Sequence, residues 1–145
     1  MTLMFLNGTA MAGQKDYSAH AGSTFLGPRR TAAMYRFFVV RDEFPGLYPV
    51  TANGRCIDGE LYDVPDEVLR ERLLPAEPPE LQFGQIWLLD NTAVHAMLFM
   101  PSRLRANDTV VDISELGSFR TYLRFVEDNE QAREVLAGNP DAFLT

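Results

Sequence analysis

The segment Thr31–Val40 constrains the chain most. Tyr35, Phe37 and Val39 alternate there with Met34, Arg36 and Phe38. Aromatic and β-branched residues at a period of two fit a strand with one buried face. Turn signals then recur at short intervals. Phe44-Pro45-Gly46 is expected to turn, and Leu47–Ala52 to form an edge strand because Pro49 lacks an N–H. Asn53-Gly54 predicts a tight hairpin into a partner strand, Arg55–Val64, with Gly59 marking a bulge or a close approach. Phe83–Leu89, the Asp90-Asn91 turn and Ala93–Met100 read as a second hairpin.

The flanks complete an α+β domain. Leu3–Leu6 is a short apolar strand that stops at Asn7-Gly8, and Tyr17–Ala21 suits a short helix. Pro65–Leu74 reads as a helix, with Asp66-Glu67 in its first turn and Val68, Leu69 and Leu73 as its apolar stripe. Ser114–Phe125 and Asp128–Ala137 read as two further helices, the second capped by Asp128 and closed by Gly138 and Pro140. The expected architecture is a mostly antiparallel, barrel-like sheet of about six strands with two or three helices. It forms a single domain over 1–145, with 112–145 as a helical extension. That extension is a candidate docking or homodimer element.

Charge and composition exclude several functions. The net charge is −7 and the basic residues are scattered, with a single lysine, Lys15. Nucleic-acid binding needs a basic stripe, so it is not expected. One cysteine, Cys56, permits neither an intramolecular disulfide nor a cysteine-rich zinc site, and it reads as a small core residue. His20 and His95 share no ligand spacing, so no metal and no cofactor are expected. No apolar run reaches the length of a membrane span, and no signal peptide is visible, so a cytoplasmic setting is the expectation.

Three motifs carry a resemblance. Phe5-Leu6-Asn7-Gly8-Thr9-Ala10-Met11 resembles the opening strand and loop of gamma-glutamylcyclotransferase-like proteins, Tyr-Gly-Ser/Thr-Leu. Ile57-Asp58-Gly59-Glu60-Leu61-Tyr62-Asp63-Val64-Pro65 resembles their central strand. Leu73-Leu74-Pro75-Ala76-Glu77-Pro78 stands where that family has a Glu-Gly loop with its catalytic glutamate. Gly27-Pro28-Arg29-Arg30-Thr31-Ala32-Ala33-Met34-Tyr35-Arg36 resembles a strand of the branch related to the allophanate hydrolase C-terminal domain, and residues 112–123 resemble the ending of its small stand-alone relatives.

The resemblance implies Glu77 as general acid/base and a substrate loop of Asn7, Gly8, Thr9, Ala10 and Met11. His20 and Tyr48 are further pocket candidates. The implied reaction is cyclisation of a small-molecule substrate, a gamma-glutamyl amide, to 5-oxoproline. The departures are Asn7 for tyrosine, Ala10 for leucine and Pro78 for glycine. Two alternatives stand beside this reading: a protein of urea or allophanate catabolism, and a non-catalytic binding module. From the residues alone, Glu80 reads as a surface charge. Glu60 is either outward on its strand or a pocket acid.

Overall fold

A computed structural model describes the backbone from Met1 to Gly138 and side chains as far as residue 130. Eight strands form one mixed sheet. They are β1 (Thr2–Leu6), β2 (Thr24–Arg30), β3 (Tyr35–Val40), β4 (Phe44–Pro49), β5 (Asp58–Val64), β6 (Leu81–Trp87), β7 (Ala93–Phe99) and β8 (Val110–Asp112).

β7 organises the sheet. One edge pairs along its whole length with β6, from Leu81↔Phe99 to Trp87↔Ala93. The other edge is divided between two parallel partners. β1 meets it at Met4↔His95, and β4 meets it at Leu47↔Leu98. Leu6, two residues beyond Met4, and Gly46, one before Leu47, therefore both fall level with Met97. Two strands cannot occupy one edge at the same level, so they splay apart there. One arm continues from β1 through β5 to β2, and the other from β4 through β3 to β8, with every step antiparallel.

The end of the first arm curls back onto β6. Thr31 bridges Leu88, and the Leu89 N–H donates to the Arg30 carbonyl at 2.9 Å. The Trp87 N–H donates to the Tyr35 hydroxyl at 2.8 Å. These links make the sheet barrel-like. Its interior is filled by Met4, Phe5, Phe37, Leu47, Ile57, Tyr62 and Ile86. Tyr35 and Tyr62 are both buried, as their strand positions imply.

The helical segment before Glu77 is composite: α1 (Asp66–Val68), a π turn (Leu69–Leu73) and α2 (Leu74–Ala76). Pro75 lacks an N–H and crowds the carbonyl four residues back, and the wider π turn accommodates it. The helix therefore runs past the expected stop at Pro75 and ends at Ala76. α3 (Phe119–Gly138) follows β8.

Several sequence expectations are corrected. Phe44-Pro45-Gly46 is the start of β4 and not a turn. The reversal lies at Arg41 and Asp42, both in the left-handed region at φ 51° and 57°. β4 lies inside the sheet between β7 and β3, not at its edge. Asn53 does adopt a left-handed turn conformation (φ 61°), yet β4 and β5 do not pair. β2 and β8 add strands that the sequence did not announce. The two expected C-terminal helices are one, with Asp128 inside it, and Pro140 lies outside the described residues. Cys56 is partly exposed ahead of β5. No described helix is long and apolar enough to cross a membrane.

Gly59 is a close approach, as expected. A Cβ there would lie 2.4 Å from the Phe5 ring and 2.7 Å from the Leu6 carbonyl oxygen. Gly59→Ala is expected to cost ~1–3 kcal/mol by overpacking. A lowered urea midpoint at unchanged slope would show it, and an unchanged midpoint would mean that Phe5 yields freely.

Candidate active site

The fork beside Met97 encloses a small cavity. Its walls are the end of β1 and the following loop (Leu6–Ala10), the start of β4 (Phe44, Pro45), Leu81, Met97 and Glu77. Its volume is about 20 Å³, roughly the room one water molecule needs. The structure thus brings Glu77 together with Asn7, Gly8, Thr9 and Ala10, which are distant in sequence.

Glu77 arrives from the C-cap of α2. Its backbone is already extended (φ −77°, ψ 146°), while its N–H still donates to the Leu74 carbonyl at 3.1 Å. Pro78 follows and prevents the helix from continuing. Among the described residues no arginine or lysine pairs with the Glu77 carboxyl, and no hydrogen bond reaches it. Burial is the main cause that pushes the group up from 4.5 to about 7, and the charge of Asp16 adds to it. Asp16 is held in place because its N–H donates to the Thr9 carbonyl at 2.8 Å.

The loop opposite Glu77 is a tight turn in which the Met11 N–H donates to the Gly8 carbonyl at 3.1 Å. Glycine is needed at position 8 for space and not for a left-handed backbone. A Cβ there would lie 2.7 Å from Pro45 Cδ. Gly8 is not among the positive-φ glycines, so no left-handed glycine turns the loop's N–H groups inward. The Gly8, Thr9 and Ala10 N–H groups nonetheless donate to no acceptor among the described residues. The buried Asn7 Nδ2 also lacks a partner. A buried donor without an acceptor, as Asn7 Nδ2 is, is costly, and all four of these residues line the cavity.

The other candidates lie elsewhere. Met11 is buried but faces a separate cleft. His20 is buried beneath the loop, its Nε2 donating to the Ala10 carbonyl at 2.7 Å, its ring packed edge-on against Tyr17 and Tyr62. It supports the loop and does not line the cavity. Tyr48 is 39% exposed on β4, beside Phe38, and is also absent from the cavity wall. His95 stacks on Phe83 at 4.7 Å on the sheet surface.

Of the two other candidate glutamates, Glu80 departs from its surface reading and Glu60 turns inward, one of the two orientations left open for it. Glu80 is buried, and Arg41 donates to its Oε1 at 2.9 Å. Glu60 is buried and takes three donors: the Ala12 N–H at 2.9 Å, the Tyr62 hydroxyl at 3.1 Å and Arg120 at 3.2 Å. Both are structural ties, and Glu60 anchors the far side of the loop. Sequence reasoning also missed Asp16, for which no local pattern signals a role. Among the described residues no cluster of three or more histidine, cysteine or acidic side chains could hold a metal ion.

Glu77 disfavours its own ionisation, so its contribution to stability is fully present below pH 4.5 and is lost as pH rises through about 7. Glu77→Gln keeps a neutral side chain at every pH. The variant is expected to match the parent near pH 4.5 and to exceed it by ~1–3 kcal/mol near pH 8. Denaturant melts at the two pH values measure this, and equal stability at both would contradict the burial of the charge.

Comparison with known proteins bears on the family and the fold. The family model described as allophanate hydrolase C-terminal domain matches residues 2–124. The crystal structure of a uropathogenic E. coli-specific protein superposes with a TM-score of 0.77 at 33% identity, covering 84% of this chain and 94% of that one. Kluyveromyces lactis allophanate hydrolase gives 0.78 at 20% identity over 86% of this chain, which corresponds to 21% of that enzyme. An aig2-like protein from Mus musculus gives 0.54 at 19% identity, covering 73% and 80%. No curated protein sequence matches. The chain belongs to the allophanate hydrolase C-terminal domain family, and it shares its fold with the aig2-like protein.

Proposed function

We propose that the chain is an enzyme acting on a small amide, with Glu77 as its general acid/base. The observation that carries this reading is a carboxyl held near pH 7 with no cation beside it, facing unpartnered backbone donors. A carboxyl in this range is populated in both protonation states near neutrality, which suits a group that must take up a proton and then return it.

Among the described residues no serine, cysteine or lysine joins Glu77 in the cavity. Apart from Asn7 and Thr9, its cavity is apolar or backbone-lined. An intramolecular reaction needs no nucleophile from the protein, and cyclisation of a gamma-glutamyl amide fits that requirement. Glu77 takes a proton from the substrate α-ammonium. The freed amine attacks the γ-carbonyl carbon, forming the ring C–N bond. The carbonyl oxygen gains negative charge, and the Gly8, Thr9 and Ala10 N–H groups are placed to receive it. Glu77 then passes its proton to the leaving nitrogen as the original C–N bond breaks, and the ring nitrogen gives up its extra proton to the freed amine, releasing 5-oxoproline and an ammonium. Rate enhancement comes mainly from holding the chain bent, so that the amine lies against the carbonyl.

Cavity size favours a second reading. At about 20 Å³ the space is far below a gamma-glutamyl group, and Met97 or Leu81 must move aside to admit one. A compact carboxylated urea asks for a smaller displacement. The family's link to allophanate hydrolase supports this substrate class, with Glu77 again handling the proton.

Mass spectrometry after incubation with gamma-glutamyl amines, gamma-glutamyl dipeptides and allophanate separates the two. 5-Oxoproline that disappears in Glu77→Gln supports cyclisation, with turnover expected to fall roughly 10²–10⁴-fold. Consumption of allophanate alone, again lost in the variant, supports the second reading. No turnover of any substrate by the folded protein, or turnover indifferent to Glu77→Gln, contradicts both.

A further inference from the structure

A second, much larger concavity lies on the other arm of the sheet. It is a cleft of about 680 Å³ between β2, β5, the turn joining β6 to β7, and the first turns of α3. That volume is in the range of sites that hold organic ligands. It shares no lining residue with the Glu77 cavity.

Its charge is opposite to that of the chain. Four arginines and three carboxylates line it, while the protein carries a net −7. The arginines fall into two classes. Arg30 is paired with Asp58 at 2.7 Å, and Arg120 with Glu60 at 3.2 Å. Arg29 and Arg124 form no ion pair among the described residues. Arg29 donates only to the neighbouring Pro28 carbonyl, at 2.9 Å. The third acid, Asp90, accepts from the Thr92 N–H at 3.0 Å. Hydrogen bonding by Thr92 mainly holds the Asp90 carboxyl low, and Arg29 is near enough for its charge to help. Yet neither Arg29 nor Arg124 is committed to an ion pair among the described residues, and a planar guanidinium matches a carboxylate or phosphate in shape as well as charge.

The cleft also has an apolar wall. Leu89 is 58% exposed within it, next to buried Leu88, with Pro28 opposite on β2. A bare inorganic anion would leave that wall unused. We propose that the cleft binds a small organic anion, its carboxylate or phosphate held by Arg29 and Arg124 and its carbon skeleton laid against Leu89 and Pro28.

Calorimetric titration of the full chain with phenylacetate, phenyl phosphate and inorganic phosphate tests this. One or both organic anions are expected to bind, each more tightly than inorganic phosphate, and the tighter of the two identifies the head group. The double substitution Arg29→Gln, Arg124→Gln breaks no ion pair with a described residue and is expected to weaken binding about tenfold or more. Glu77→Gln is expected to leave binding unchanged, so failure here is distinct from failure of the Glu77 reading. Absence of binding at millimolar concentration would overturn the proposal. So would affinity unchanged in the double variant, or inorganic phosphate binding as tightly as the organic anions. Should the double variant not fold, amide shift mapping on the parent chain decides. Shifts at Leu88–Asp90 and Ser118–Arg124 support the cleft, and shifts confined to Asn7–Ala10 overturn it.

Discussion

The rest of the structure depends on the sharing of one strand edge. β7 presents a single free edge, and both β1 and β4 claim it at the level of Met97. Neither can pair fully, so the chain leaves β1 at Asn7 and enters β4 at Phe44 with a gap between them. The gap is narrow because Gly8 lets the loop press on Pro45. Competition between parallel partners, and not a dedicated loop insertion, makes the cavity. Ligand sites in open α/β sheets arise by related geometry, where neighbouring strands diverge.

Electrostatics then separates three inward-turned glutamates by their partners. Glu60 has Arg120 and two further donors, and Glu80 has Arg41. A buried carboxylate with such partners is a structural tie that is costly to break. Glu77 has neither a cation nor a donor, and it faces a second acid, Asp16. Among these three glutamates that unfavourable placement falls on Glu77 alone, beside a wall of unpartnered N–H groups. The contrast between the three is what supports the role proposed for Glu77. Arg120, on the wall of the larger cleft, also reaches the loop beyond Ala10, donating to the Ala12 carbonyl at 2.7 Å as well as to Glu60.

What the sequence revealed follows from which interactions are local. The β6–β7 hairpin was legible because Asp90-Asn91 and the flanking alternation act within a few residues, and Asn91 does take the left-handed turn (φ 67°). Asn53-Gly54 carried an equally strong turn signal. It misled because turn chemistry bends the chain without choosing the strand's partner, and β5 pairs instead with β1 and β2. β2 was hidden by Gly27 and Pro28, which are tolerated there because β2 is the outer strand of its arm. Burial of Glu60 and Glu80 could not be read, since their arginines are 60 and 39 residues away in sequence. The grouping of Asn7–Ala10 with Glu77 was legible only through motif order, because nothing local links the two segments. Tyr48 and His20 were singled out by position alone, and neither reaches the cavity wall.

The most direct test is a carbon-13 NMR titration of the Glu77 side-chain carboxyl, assigned by its disappearance in Glu77→Gln. A midpoint near 7 is expected if the forked sheet desolvates this group without a compensating cation. A midpoint at the ordinary carboxyl value near 4.5 would contradict the account, because the group would then be solvated or paired and unsuited to proton transfer near neutrality.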